Sequence, residues 1–172
     1  MKRYTEKTPH SEALEAVDGY ASSVSCRATD YAAHWEVPPH SHAKHQLIYA
    51  IAGVMTVSTD TGHWVVPPSR GLWVPAGMSH AIRCLSELHM RSLYVRPDAD
   101  APMLENCCVV GISPLLRELI GAAADIALPY AEDSRDGRLM RLLLDELCAL
   151  PVLPLHLPLP TDARMLRICE SL

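Results

Sequence analysis

Phenylalanine is absent from this 172-residue sequence, and tryptophan and tyrosine bring the aromatic share to only 5%. The large aromatic area of any core must therefore come from Trp35, Trp64, Trp73 and the tyrosines. No apolar run approaches the ~20 residues of a membrane span, so no membrane partner is expected. The opening MKRYTEKTPHSEA lacks the apolar centre of an export signal, and a cytoplasmic protein is expected. The six cysteines include no C-x-x-C pair, so reduced, mostly buried thiols fit better than a disulfide framework. Lys and Arg number 15 against 20 Asp and Glu, a net charge of −5. Binding nucleic acid requires clustered basic residues, which argues against this chain alone doing so.

What is present is a chain for one domain plus a small appendage, with 49% hydrophobic residues to fill a core. Residues 1–20 are polar and read as an arm. From 21 to 112, short extended runs alternate with turn signals about every ten residues. SSVSCRA and YAAHWEV are separated by a turn at Asp30. HQLIYAIAG and VMTVSTD hinge near Gly53, and Asp60-Thr61-Gly62 turns into HWVVP. LWVPA, MSHAIRC and ELHMRSLYV close the series, with CCVVGI as one more extended piece. The pattern predicts a mainly β domain, a barrel or sandwich.

Past Arg96-Pro97 the character changes. Ser113-Pro114 reads as an N-cap and first-turn proline opening LLRELIGAAADI, with Leu115, Leu116, Leu119 and Ile120 as its apolar stripe. A second helix runs from Ser134–Asp136 to Leu150, with Leu139, Leu142, Leu143, Leu147 and Leu150 recurring at three and four. The resulting hairpin, 113–150, packs on the barrel and either ends there or offers leftover apolar surface to a second copy as a homodimer seam. Residues 151–160 hold four prolines and read as an extended linker. Thr161-Asp162 then caps a short helix to Leu172. A helix of about ten residues is marginal alone, so 161–172 is expected to begin a further, truncated domain.

The functional signal lies between Pro38 and Cys84. His40, His42 and Gln46 share a parity, so on extended backbone they share a face. His80 follows the turn-forming Pro75-Ala76-Gly77, and the four side chains can converge inside a small barrel. This stretch resembles the cupin superfamily. His40-Ser41-His42, three residues, Gln46, six residues and Gly53 match its first motif, and Pro75, Gly77 and His80 match the second. Gln46 replaces the usual metal-binding Glu, Cys84 replaces the usual Asn, and Ser69 stands where the second motif begins with Gly. The resemblance implies a cupin-like jelly roll. SPLLRELI, GRLMRLLLDEL and the proline-rich approach to the last helix extend it: from about Tyr20 onward the chain resembles AraC-type transcriptional regulators. That resemblance implies an effector-binding barrel, dimerising helices, and DNA contact through a C-terminal domain absent from this chain.

Three readings of the barrel interior stand beside one another. His40, His42, Gln46 and His80 hold a divalent transition metal (Zn, Ni or Fe) beside a small-molecule effector; or they only hydrogen-bond an effector or water; or they are the relic of a metal site. With three neutral imidazoles and a neutral amide the ion's charge is uncompensated, which favours an anionic effector. Tyr49, Trp73, Cys84, Met90 and Arg91 are candidates to line the effector pocket, Arg91 by pairing with an anion. His45 has odd parity and faces outward or sits in the turn. The rival class is a cupin metalloenzyme of dioxygenase or isomerase type, or a stand-alone binding cupin. The missing carboxylate and the continuation beyond the barrel favour a regulator, which is not an enzyme.

Overall fold

The computed structural model describes residues 18–19, 21–99 and 104–153; the expected arm and terminal helix lie almost wholly outside them. Among these residues, ten strands form two antiparallel sheets that face one another. The larger has the order β1 (Val24–Tyr31), β8 (Leu88–Val95), β3 (His45–Ala52), β6 (Arg70–Val74), β9 (Cys108–Gly111) and β10 (Val152–Leu153). The smaller has the order β2 (Glu36–His40), β7 (His80–Cys84), β4 (Met55–Thr59) and β5 (Gly62–Val66). Between β9 and β10 lie two helices, α1 (Pro114–Ala123) and α2 (Arg135–Cys148). The chain is thus mainly β and cupin-like, with a helical hairpin after the barrel.

Two cores account for the sequence pattern. Met55, Val57, Trp64, Val66 and Ile82 of the small sheet meet Ile48, Leu72 and Leu88 of the large one. The small sheet's other face is solvated, hence the strict alternation of Gly62–Val66, where His63 and Val65 point outward. The large sheet is covered on both faces. Its outer face carries Leu47, Tyr49, Trp73, Leu93 and Val110 against the helices, hence the unbroken apolar run of β3. Gly53 turns the chain with φ 88, and a Cβ there would lie 2.2 Å from the Glu87 carbonyl oxygen.

The Ser113 side chain accepts a hydrogen bond from Leu116 N–H at 3.0 Å, and Pro114 opens α1. Its buried face is Leu116, Leu119, Ile120 and Ala123, while Leu115 stays 49% exposed. The apolar stripe therefore runs one position later than the expected one, because the face set by i, i+3, i+4 begins at Leu116. Ser134 caps α2 in the same way, accepting from Gly137 N–H at 3.0 Å. Met140, Leu143 and Leu147 are buried there, each of the larger side chains adding about 2 kcal/mol, whereas Leu142 is 44% exposed.

Two local expectations need correction. Asp30 does not turn the chain: β1 continues to Tyr31, because the Asp30 carboxylate is held by His89 Nδ1 at 3.0 Å and Arg91 NH1 at 3.2 Å from the neighbouring strand. The turn comes at His34, whose φ is 64 and whose N–H bonds the Cys84 carbonyl. Nor does the proline-rich segment leave the domain at once, since Val152 and Leu153 pair with Val110 and Val109. The described cysteines are all free thiols. No helix among the described residues is long and apolar enough to cross a membrane.

Candidate functional site

His40 and His80 are register partners across β2 and β7. His42 lies just beyond β2, in a loop pinned by the Gly77 N–H bond to its carbonyl at 2.8 Å. The three do not share one strand, because the ladder shifts between Val37 and His40, at Pro38-Pro39, and breaks after His40. They converge nonetheless. Ring centroids are 4.3 Å apart for His40–His80, 5.0 Å for His40–His42 and 5.6 Å for His42–His80. One nitrogen from each lies within 4.8 Å of the others. A tetrahedral ion bound at ~2.1 Å wants such nitrogens about 3.4 Å apart.

The tautomers suit ligation. His40 Nδ1 donates to the Pro38 carbonyl at 2.8 Å and His80 Nδ1 to the Met78 carbonyl at 3.1 Å. Each bond leaves Nε2 as the lone-pair nitrogen, the arrangement that orients metal-ligating histidines. His80 Nε2 is buried with no hydrogen-bond partner among the described residues. Burial, then the neighbouring His40, pushes the His80 pKa down to about 4, and burial lowers that of His40. Both imidazoles are thus neutral at pH 7, as ligands must be.

Gln46 is buried in the adjoining recess. Its amide nitrogen donates to Ser92 Oγ and Tyr94 OH, both at 3.2 Å, and its Oε1 is unpartnered among the described residues. The recess is narrow, and His40, Gln46, Met90 and Arg27 are among its lining residues. Cys84 is buried in the inter-sheet core, its thiol pushed up to about 11 by burial.

Besides Cys84, three expected pocket residues lie elsewhere, and of the expected set Met90 alone lines the recess. Tyr49 and Trp73 are on the large sheet's outer face, because β3 and β6 alternate and Ile48 and Leu72 take the inward positions. Tyr49 OH accepts from Arg117 NH1 at 3.0 Å, which ties α1 to the sheet. Trp73 stacks on His45 and donates from Nε1 to the Leu104 carbonyl at 2.9 Å. His45 faces outward as its parity requires, accepting from Ala76 N–H. Arg91 also faces out, paired with Asp30. The inward cation is Arg27 of β1, which sequence reasoning missed. Its parity with Thr29 and Tyr31 was the available signal, obscured by the turn expected at Asp30.

Facing sheets, a polar recess between them and a helical hairpin on one side define a small-molecule-binding cupin-like domain. The family described as AraC-like ligand binding domain matches residues 23–148; the chain belongs to that family, the ligand-binding domain of AraC-type regulators. It is similar to the HTH-type transcriptional regulator NimR of Escherichia coli (strain K12), with 33% identity over 135 residues. The match covers 78% of this chain and 49% of NimR, so the chain spans about half the length of that curated relative. Among solved structures, ToxT from Vibrio cholerae has a TM-score of 0.51 at 6% identity, covering 73% of this chain and 56% of that one, a likeness of fold. A cupin superfamily protein from Desulfitobacterium hafniense has a TM-score of 0.41 at 21% identity, covering 44% of this chain and 70% of that one.

Proposed function

We propose that the chain is the effector-sensing part of an AraC-type transcription regulator, binding a small molecule in the recess beside a divalent metal ion. The observation that carries this reading is the convergence of His40, His42 and His80, with His40 and His80 neutral and fixed in tautomer and His40 lining the adjoining recess, in a domain of this family. His40, His42 and His80 would hold the ion, whether Zn, Ni or Fe, and the ion would supply a Lewis acid for an effector oxygen or nitrogen. Gln46 with Ser92 and Tyr94 forms the polar wall that orients the effector. No turnover is assigned to this site. DNA contact belongs to a separate domain, as the printed name of NimR supports. The protein works in the cytoplasm as a homodimer through its helical hairpin. An effector regulates only by binding one arrangement of that dimer better than the other.

Elemental mass spectrometry on the purified protein and its His40→Ala/His42→Ala double variant tests the site. About one ion per chain is expected, lost in the variant. No ion in either protein after adding Zn or Ni overturns the metal part of the reading. Effector titration of the full-length dimer that leaves promoter binding unchanged overturns the regulatory part.

A further inference from the structure

We propose that His45, which faces away from the ion's site, positions two of the three ligands by bracing the turn at residues 75–78. This deepens the metal-binding reading and rests on it. Both His42 and His80 are tied to that turn. Gly77 N–H donates to the His42 carbonyl at 2.8 Å, and the Met78 carbonyl accepts from His80 Nδ1 at 3.1 Å. The turn is closed on itself, Met78 N–H donating to the Pro75 carbonyl at 3.2 Å. A displacement of these four residues therefore shifts the His42 loop and rotates the His80 ring together. His40 is held separately, through its Nδ1 bond to Pro38.

The brace lies on the other face of β3. Gln46 points into the recess, so its neighbour His45 points out of it. There the His45 ring stacks on Trp73, with centroids 5.5 Å apart and planes at 22°, and His45 Nδ1 accepts from Ala76 N–H at 3.1 Å. Trp73 is itself buried and anchored from Nε1 to the Leu104 carbonyl. Accepting from an amide puts the His45 proton on Nε2 and leaves the ring neutral. The stack fixes the plane of the imidazole, and that plane fixes where its lone pair meets Ala76. Ala76 and Gly77 are consecutive donors, the first tied to β3 and the second to the His42 loop. A ring on the outer face thus sets geometry on the inner one. Supports of this kind, outside the ligand set, govern metal affinity because they hold the ligands in place.

The test combines Zn affinity, by competition with a chromophoric chelator, with amide hydrogen exchange by NMR on the metal-free protein. His45→Phe keeps a ring on Trp73 and removes the acceptor. His45→Asn removes the stack and keeps an acceptor oxygen in the place of Nδ1. His63→Phe is the control, at an outward position on the solvated sheet. His45→Phe is expected to weaken Zn binding about tenfold and to speed exchange at Ala76 and Gly77, with His45→Asn within about threefold of wild type. His63→Phe should leave both readouts unchanged. Unchanged Zn affinity in His45→Phe overturns the positioning role and leaves the metal reading standing. Equal losses in His45→Phe and His45→Asn also overturn it, since the ring then matters only for packing. Fast exchange of the Ala76 amide in wild type overturns the brace whether or not metal binds. If wild type takes up neither Zn nor Ni, the metal reading falls and the positioning role falls with it.

Discussion

Acidifying the metal-free protein from pH 7 to pH 5 should cost it about 2 kcal/mol through His80 alone. An imidazole in the unfolded chain takes its proton near pH 6.5, whereas burial and the neighbouring His40 hold the folded His80 down to about 4. Between those values acid favours the unfolded state, so the stability supported by a neutral His80 is complete above pH 6.5 and lost as pH falls toward 4. The whole gap corresponds to about 3 kcal/mol, of which about 2 kcal/mol is gone by pH 5. That is a large share of the 5–15 kcal/mol typical of a domain. The assay is urea unfolding in a chelating buffer across this range, on wild type and His80→Gln. His40, shifted the same way by burial, leaves a residual slope in the variant, but the wild-type slope should exceed it by about 2 kcal/mol. Parallel pH profiles for the two proteins, or a His80 resonance titrating near pH 6.5, would refute the reasoning.

Leu143 is fully buried between α2 and the sheet, so Leu143→Ala should cost about 2–5 kcal/mol. Leu142→Ala, at a 44% exposed position, should stay within about 0.5 kcal/mol in the same thermal denaturation series. Gly137→Ala gains about 1 kcal/mol of helix propensity, yet its Cβ would stand 2.2 Å from the Glu132 carbonyl oxygen. Net destabilisation of about 1–3 kcal/mol is expected, and a stabilised variant would show that the loop before α2 yields freely. Ser113→Ala removes the α1 cap and should lower stability by about 1 kcal/mol, measurable by chemical denaturation.

The parts of this fold legible in the sequence are those whose environment differs between faces. β4 and β5 alternate because one face is wet, and the helix caps at Ser113 and Ser134 are local chemistry readable from single residues. The large sheet was not legible to the same degree. With helices outside and a second sheet inside, β3 places an apolar residue at both parities, so nothing in LIYAIA distinguishes inward Ile48 from outward Tyr49. Tyr49 and Trp73, candidates for the pocket by sequence, therefore pack against the helices instead. The histidine site was readable for another reason, since residue types that bind metals are scarce in cores, and His40, His42 and His80 meet even though they do not share a strand. Asp30 misled because its turn chemistry is overridden by His89 and Arg91, contacts about sixty residues away along the chain. The turn expected at Asp30 hid the inward Arg27.

The two-residue strand β10 sets where this domain can be cut. Val152 and Leu153 cover the edge of β9, and Pro151 accepts the Gly111 N–H bond at 3.1 Å. A polypeptide ended after Leu150 would keep α1 and α2 yet bare the hydrogen-bonding groups of Cys108–Gly111. An uncovered edge of that kind recruits another chain, so such a fragment would self-associate through its sheet. Oligomers seen in it would report the cut and not the helical hairpin.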